Sequence, residues 1–391
     1  MSPKYITRLA EADVDYSLKH FPVTAITGPR QCGKSTLAKH LAARHNRFVF
    51  LDLEKPEDLN KLTDPYLFFS TVQADLFCID EIQRKPELFP VLRTLVDEWS
   101  RPGCFLVLGS ASRDMLKQSS ESLAGRIAYV RLSPFTLTEA AHTNAFTLAA
   151  YIERGGFPRS FLAAEARASF LWRQNFITTF LERDLPQWSA VPPPAMRRLW
   201  QMLAHINGQT VNYSELANSL AVSGATVKTH IDLLAGTYML DLVPPWFSNM
   251  GKRLVKAPKV YITDSGITAC LLGLRGFEEF IAHPRIGAAW EQIVLTNLRT
   301  HFPDAEFYHY RTSAGAEMDF VMRQGPRLFA VECKFSRDPK PGRGAHNAIE
   351  DIRPEHTFIA VPTATGWPLT PDISVVSLED LTTRLQERLA K

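Results

Sequence analysis

The chain has 391 residues, 45% of them hydrophobic, and a net charge of +3. This length allows two to four domains with separate cores, and the small net charge means that any basic surface must be local. No run of eighteen apolar residues and no signal-peptide core occurs, and the five cysteines are scattered without a Cys-x-x-Cys pair. We therefore expect a soluble, cytoplasmic protein without a membrane partner, and with buried reduced thiols in place of zinc or disulfides.

The first predicted strand, at 23–27, and the helical stretch at 37–41 flank a phosphate-binding motif. Between them the chain reads Gly28-Pro29-Arg30-Gln31-Cys32-Gly33-Lys34-Ser35-Thr36. A glycine, four free positions and Gly-Lys-Ser are typical of the loop in nucleotide triphosphatases. Glycine lets backbone N–H groups turn toward the phosphates, Lys34 contacts the β and γ groups, and Ser35 ligates Mg²⁺. The alternative is an ordinary turn between a strand and a helix.

The predicted strand at 76–80 ends in two adjacent acids, Asp80 and Glu81. Strand ends of parallel sheets face the ligand crevice. Asp80 is therefore expected to hold Mg²⁺ through water, and Glu81 to accept the proton of the attacking water. The alternative is an acidic turn in which Asp80 caps the next helix.

Five strand-like segments alternate with amphipathic stretches, at 23–27, 48–53, 76–80, 105–108 and 127–132. This alternation predicts a parallel sheet with helices on both faces. The fourth segment leads into Gly109-Ser110-Ala111-Ser112, so Ser110 or Ser112 could bind the γ-phosphate or the attacking water. Serines that follow a strand are also common turn formers.

From about 151 to 188 the pattern is helical and is interpreted as a small lid, which the proline run at 192–194 ends. The next stretch, 196–274, holds two short helices about a glycine turn, followed by β-like residues. This order is typical of a winged helix-turn-helix.

The second of these helices and the hairpin after it are the candidate DNA-binding surface. Four side chains of the helix are predicted to face outward: Thr226, Lys228, Thr229 and His230. Four cations make the following hairpin basic, which suits phosphate contacts: Lys252, Arg253, Lys256 and Lys259. The alternative is a winged helix that serves only as a packing module.

The C-terminal third carries a carboxylate pattern on a predicted hairpin. Glu332 and Lys334 share one face of a strand because they lie two residues apart, and Asp319 lies on the neighbouring strand. Glu291, in the helical stretch 288–298, could approach them. Such a group suits a second divalent metal, Mg²⁺ or Mn²⁺, that activates water against a phosphodiester, with the lysine steadying charge. The alternative is an edge hairpin with a solvated charged face.

Motifs along nearly the full chain resemble the bacterial and archaeal AAA+ family ATPases, in the branch with an uncharacterised C-terminal region. In the first part they are the segments 26–36, 79–83, 109–112, 123–126 and 132–135. Farther on, the segments 259–266 and 287–291 match the branch, and Asp319, Glu332 and Lys334 match the signature of the PD-(D/E)XK nuclease superfamily.

The resemblance implies an α/β fold in four parts. A P-loop AAA+ parallel sheet is expected at 1–150, a helical lid at 151–194, a winged-helix domain at 195–275 and a PD-(D/E)XK nuclease-like α/β domain at 276–391. It also implies an Mg²⁺-dependent ATPase that assembles in rings, commonly hexamers.

Two arginines gain roles from the same resemblance. Arg126 resembles an arginine finger that acts on the ATP of the adjacent subunit. Arg159, which ends Gly155-Gly156-Phe157-Pro158-Arg159, resembles a lid arginine that senses the γ-phosphate. The alternative role for both is a surface ion pair.

The combined pattern predicts an ATP-driven motor that binds branched or structured DNA and carries a nuclease-like C-terminal domain. Two other functions stay open. One is a regulatory switch that binds a protein partner in a stress, defence or toxin-antitoxin setting. The other is a metal-dependent nuclease gated by ATP.

Overall fold

The computed structural model describes residues 5–110, 121–247, 255–363 and 365–390. The chain divides into two compact units, which are described separately. The first comprises Met1–Phe135 and Gly236–Tyr238, and the second comprises Thr136–Ala235 and Met239–Lys391. Within the described ranges, no helix is both long enough and apolar enough to span a bilayer.

The first unit is built on a five-stranded parallel sheet with the spatial order β2-β3-β4-β1-β5. Its strands are β1 (Val23–Thr27), β2 (Phe48–Asp52), β3 (Leu76–Asp80), β4 (Phe105–Gly109) and β5 (Ile127–Arg131). β1, β3 and β4 are buried at every residue, as expected for parallel strands covered on both faces. The predicted parallel sheet is confirmed, and each predicted strand bound agrees to within one residue.

Helices cover this sheet. They are α1 (Glu11–His20), α2 (Lys34–Ala42), α3 (Pro56–Lys61), α4 (Pro65–Thr71) and α5 (Leu88–Trp99), with 3-10 turns at Ile82–Arg84 and Glu121–Leu123. An aromatic cluster fastens α4 and α5 to β3 and β4. The ring of Phe105 lies 5.6 Å from that of Phe77 and 5.4 Å from that of Trp99, and Phe69 meets Phe105 edge-on at 5.2 Å. Each such aromatic pair stabilises the fold by about 0.5–1.5 kcal/mol, in addition to the contribution of its buried apolar area.

The second unit begins with a helical region. Its helices are α6 (Leu137–Ala141), α7 (Leu148–Arg154), α8 (Pro158–Phe161), α9 (Ala166–Thr179), α10 (Pro193–His205), α11 (Tyr213–Leu220) and α12 (Gly224–Gly236). A π-helical turn at Phe180–Asp184 and a 3-10 turn at Leu185–Gln187 follow α9. α10 starts within the proline run, because proline at the first helical position has no N–H bond to lose.

Two antiparallel strands, β6 (Leu240–Val243) and β7 (Lys259–Ile262), follow α12. The sequence predicts two short helices about a glycine turn and then β-like residues; α11, α12 and the strand pair follow this order, and the winged-helix interpretation stays a prediction. The pair is the structural link to the C-terminal part, since β7 is followed directly by α13 (Ser265–Leu271).

The C-terminal part is a separate α/β arrangement around a six-stranded sheet, which confirms the predicted second sheet. The sheet has the order β12-β13-β11-β10-β9-β8. Its strands are β8 (Glu306–Arg311), β9 (Glu317–Gln324), β10 (Arg327–Cys333), β11 (His356–Ala360), β12 (Trp367–Thr370) and β13 (Ile373–Val376). The helices are α14 (Phe277–Ile281), α15 (Ile286–His301), α16 (Arg343–Ile352) and α17 (Leu378–Leu389). β9 and β10 form the predicted hairpin, and β10 pairs in parallel with β11.

Candidate nucleotide site and carboxylate cluster

The loop from β1 to α2 carries the predicted phosphate-binding motif at the carboxyl edge of the sheet. Gly28 has φ +152° and Gly33 has φ +105°, backbone conformations that glycine adopts at little cost. A Cβ atom on Gly28 would lie 2.1 Å from the carbonyl oxygen of Leu132. The loop backbone can therefore take this path only with glycine at the first position.

Lys34 is the first residue of α2 and is only 5% exposed. Its ammonium donates to the carbonyl oxygens of Gly28, at 3.0 Å, and Pro29, at 2.9 Å. The lysine is thus held over the loop, beside the positive end of the helix dipole. A cation and free helix N–H groups at one point form an anion-binding site suited to phosphates.

Ser35 and Asp80, the two predicted Mg²⁺ ligands, lie side by side. The Ser35 hydroxyl donates to Oδ2 of Asp80 at 2.5 Å. Burial raises the pKa of Asp80, although the hydrogen bond from Ser35 acts in the opposite direction. Mg²⁺ binds through one or two carboxylates plus substrate phosphates, so this pair fits that ion. Thr36, the next residue, is exposed.

Glu81, the predicted base, follows β3 in a left-handed conformation with φ +55°. The amide nitrogen of Gln83 donates to its carboxylate and also to the hydroxyl of Ser110, at 3.0 Å. The Ser110 hydroxyl lies 3.4 Å from Oε2 of Glu81. The structure therefore joins the predicted base and the predicted Ser110, while Ser112 falls outside the described residues.

Gln83 was not predicted as a site residue. The only signal for it in the sequence is its position two residues after Glu81, in the strand-end motif. One of its two hydrogen bonds goes to the Glu81 carboxylate and the other to the Ser110 hydroxyl, which itself faces Glu81, so Gln83 helps to fix the direction of that carboxylate.

Other loop residues are held by their neighbours in the first unit. Arg30 pairs with Glu54. Cys32 is fully buried, and its carbonyl oxygen accepts from the guanidinium of Arg8 at 3.0 Å. Arg8 also donates to the carbonyl oxygen of Ser133 at 2.6 Å, so it braces the end of the loop. No sequence motif marks Arg8, because its role depends on contacts made after folding.

Arg126 and Arg159 both lie at the surface. The Arg126 guanidinium forms a two-point ion pair with Asp97 of the same chain, at 2.5 and 3.0 Å. Arg126 precedes β5, so it lies at the sheet edge opposite the phosphate-binding loop. Arg159 is exposed in α8 of the second unit. The finger and sensor roles of these arginines stay predictions.

The helix α12 buries Val227, Ile231 and Leu234. Of its predicted outward residues, Lys228 and Thr229 are exposed, whereas Thr226 and His230 are half-buried. Burial lowers the pKa of His230. In the predicted basic hairpin, Lys256 is exposed, and Lys252 and Arg253 fall outside the described residues.

The prediction that Lys259 adds to a basic hairpin surface is wrong. Lys259 is 2% exposed, and its ammonium lies 3.0 Å from Oδ1 of Asp319, 3.1 Å from Oε1 of Glu317 and 3.8 Å from Oε2 of Glu291. Burial lowers the pKa of Lys259, but the three carboxylates more than offset this and leave it above its usual value. Side chains alternate along β7, and this lysine lies on the face turned to the carboxylates.

We call Glu291, Glu317, Asp319 and Glu332 the carboxylate cluster. The structure brings the four predicted residues of this region together: Glu291 from α15, Asp319 from β9, and Glu332 and Lys334 from the end of β10. Lys334 pairs with Oε1 of Glu332 at 2.7 Å. Burial, followed by the charge of Asp319, raises the pKa of Glu291 to about 8 and that of Glu332 to about 7.

Several further contacts of the cluster were not predicted. The Tyr261 hydroxyl donates to Oε2 of Glu291 at 2.7 Å, and the backbone N–H of Cys333 donates to Oδ2 of Asp319 at 2.9 Å. Across the described part of the chain, no three His, Cys, Asp or Glu side chains are arranged to hold a metal ion. The predicted second metal therefore finds no support in this arrangement.

Three family profiles match successive parts of the chain. The family described as AAA domain matches residues 20–141, which include all five strands of the first sheet. Two families described as domains of unknown function, DUF8612 and DUF4143, match residues 145–278 and 286–381.

Curated relatives match over almost the entire chain. The uncharacterized protein Rv2008c of Mycobacterium tuberculosis is 39% identical over 377 residues, which cover 96% of this chain and 84% of that protein. An uncharacterized protein of Mycobacterium bovis gives the same values.

Similar solved structures include the Walker-type ATPase of Pyrococcus abyssi. It matches with a TM-score of 0.47 and 15% identity, over 69% of this chain and 97% of that chain. AMPPCP-bound DnaA from Aquifex aeolicus matches with a TM-score of 0.32 and 15% identity, over 59% of this chain and 90% of that chain.

Proposed function

This chain belongs to the family of P-loop ATPases in which an AAA domain is followed by a DUF4143 region, and we propose that it couples Mg²⁺-dependent ATP hydrolysis to the binding of branched or structured DNA. The observation that carries the catalytic part is the convergence of four side chains at one sheet edge: Lys34, Ser35, Asp80 and Glu81. DNA as the partner rests on the exposed surface of the second unit.

The catalytic roles follow from this arrangement. The loop N–H groups and Lys34 hold the β and γ phosphates, and Ser35 and Asp80 would hold Mg²⁺. The metal supplies charge neutralisation on the phosphate oxygens. Glu81 accepts the proton of the attacking water, and the hydrogen bond from Gln83, which also binds Ser110, keeps its carboxylate in one orientation.

The DNA-binding surface is proposed on α12 and the segment after β6. Lys228, Thr229 and Lys256 are exposed there, and Lys252 and Arg253 belong to the same stretch of sequence. Lysine and arginine contacts to phosphates do not read bases, so they suit recognition of a DNA shape. Binding of this kind weakens steeply as salt rises.

A regulatory switch that binds a protein partner is the second candidate. It is favoured by the charge balance around Lys228, since Asp232 is exposed one turn later on α12 and Glu215 is exposed on α11. A surface of mixed sign is less suited to a polyanion and more suited to a protein with complementary charges.

ATP turnover, measured with and without forked or four-way DNA, tests both candidates. We expect Lys34→Ala to lower turnover at least a hundredfold, since it removes the cation that contacts the phosphates. We expect forked DNA to stimulate the unmodified chain, and Lys228→Ala to reduce this stimulation several-fold.

Lys340→Ala is the matched control, because it removes the same charge from an exposed position outside the proposed surface. Hydrolysis that survives Lys34→Ala would contradict the ATPase mechanism. If no DNA changes the turnover of the unmodified chain, of Lys228→Ala or of Lys340→Ala, the proposed DNA partner is contradicted. The protein-partner switch is then the remaining candidate.

A further inference from the structure

The strand β7 inserts two side chains into the carboxylate cluster. Lys259 and Tyr261 lie two residues apart, so they share one face of the strand, and they are 2% and 0% exposed. Lys259 reaches Asp319, Glu317 and Glu291, and Tyr261 reaches Glu291. The cluster is therefore covered by a strand of its own chain.

The ammonium of Lys259 takes the position that a divalent metal would need. Its nitrogen lies 3.0 and 3.1 Å from oxygens of Asp319 and Glu317, close to the length of charge-assisted hydrogen bonds. Mg²⁺ binds oxygen at about 2.0–2.1 Å and keeps a near-octahedral shell of ligands. An ion at these carboxylates would lie against the lysine charge, so the two cations exclude each other.

Most other carboxylate oxygens of the cluster also accept a hydrogen bond or ion pair from a group of the same chain. Oε2 of Glu291 accepts from Tyr261, Oδ2 of Asp319 accepts from the N–H of Cys333, and Oε1 of Glu332 pairs with Lys334. Among the described residues, Oε2 of Glu332 is a buried oxygen of this group without a hydrogen-bond partner. A single oxygen does not make a divalent-metal site.

We propose that the Lys259 ammonium is the resident cation of the carboxylate cluster and that it joins β7 to α15 and β9 in place of a divalent metal. The metal that a nuclease-like fold implies does not fit these residues. This inference goes beyond the proposed ATPase and does not depend on it, since it concerns residues of the second unit alone.

Binding of Mn²⁺ to the full-length, nucleotide-free protein, counted by electron paramagnetic resonance, tests the proposal. Ser35→Ala serves as the background in every sample, because it removes a ligand of the proposed ATPase metal. In this background we expect Asp319→Asn and Glu332→Gln to leave the number of bound Mn²⁺ ions unchanged. Mn²⁺ that is bound by the parent and lost in either variant would overturn the proposal.

Replacement of the lysine gives the converse test. We expect Lys259→Met to gain one Mn²⁺ ion, and the addition of Asp319→Asn to remove it again. We also expect Mn²⁺ to raise the Tm of Lys259→Met with increasing concentration, and not that of the parent. A folded Lys259→Met protein that gains no Mn²⁺ would overturn the proposal, and if this variant does not fold, the comparison with Asp319→Asn decides alone.

Discussion

Gly28 is the individual residue whose replacement tests the loop most directly. Its φ of +152° is rarely adopted by residues with a side chain, and a Cβ atom would meet the carbonyl oxygen of Leu132 at 2.1 Å. We expect Gly28→Ala to displace the loop backbone, to weaken ATP binding at least tenfold and to cost about 1–3 kcal/mol in stability. Nucleotide titration and thermal unfolding measure the two effects.

Gly125→Ala is the control for this prediction. Gly125 also has a positive φ, +76°, but a Cβ atom there would have no heavy atom within 4 Å. We expect the Gly125→Ala variant to be somewhat less stable, because alanine disfavours a positive φ, and to keep the ATP affinity of the unmodified chain. Equal affinities in the two variants would contradict the role given to the close contact at Gly28.

Among the strands, β8 carries a pH-sensitive residue, His309. It is fully buried, and its Nε2 lies 3.1 Å from the carbonyl oxygen of Ala257. Burial lowers the pKa of His309 to about 4, against 6.5 for the unfolded chain. Because the unfolded chain binds the proton more tightly, stability is lost as pH falls from 6.5 toward 4. This loss is about 2 kcal/mol between pH 7 and pH 5.

The variant His309→Gln isolates this contribution, since glutamine can still donate to the carbonyl oxygen and does not titrate. Glu291 and Glu332, whose pKa values are raised, gain stability over the same pH range in both proteins, so the comparison is between the two. Relative to its value at pH 7, we expect the Tm of His309→Gln at pH 5 to be higher than that of the unmodified chain. His356 in β11, whose pKa burial also lowers to about 4, stays in both proteins and keeps part of the pH dependence. Identical pH dependence in the two proteins would show that His309 does not contribute.

The elements differ in how far the sequence predicts them. The strands of the first sheet are predictable because parallel strands covered on both faces are continuous apolar runs, such as Leu76–Asp80. Ser35 and Asp80 are predictable as a pair because one follows the phosphate loop and the other ends a neighbouring strand. The buried position of Lys259 is not predictable from the sequence, because its partners come from α15 and β9. A basic residue near a predicted hairpin fits an exposed surface equally well.

The predicted role of Arg126 as an arginine finger can be tested only in the assembly of several subunits. If this arginine acts on the ATP of an adjacent subunit, it must leave Asp97, with which it pairs in the single chain. We expect Arg126→Ala to lower turnover about 10³-fold, in the range known for arginine fingers. Mixing it with Lys34→Ala subunits should restore part of the activity, because some interfaces then combine an intact Lys34 with an intact Arg126.

Asp97→Ala is the control for the mixing experiment. It removes the ion pair and leaves the arginine in place, so we expect turnover to be kept or slightly raised. An Arg126→Ala protein with full turnover would assign this arginine to the surface ion pair alone. Failure of the mixture to recover activity would argue against a shared site.

The contact between Lys259 and Asp319 joins positions 60 residues apart in the chain. Loss of Lys259 leaves three carboxylates without their cation, and loss of Asp319 removes one of the three partners of the buried ammonium, so either single replacement leaves more unbalanced charge than replacement of both. Which residues are accepted at position 259 therefore depends on the residue at position 319, and the reverse also holds. Descendants of this lineage should keep both residues or exchange both, so the inherited variation at the two positions should be correlated.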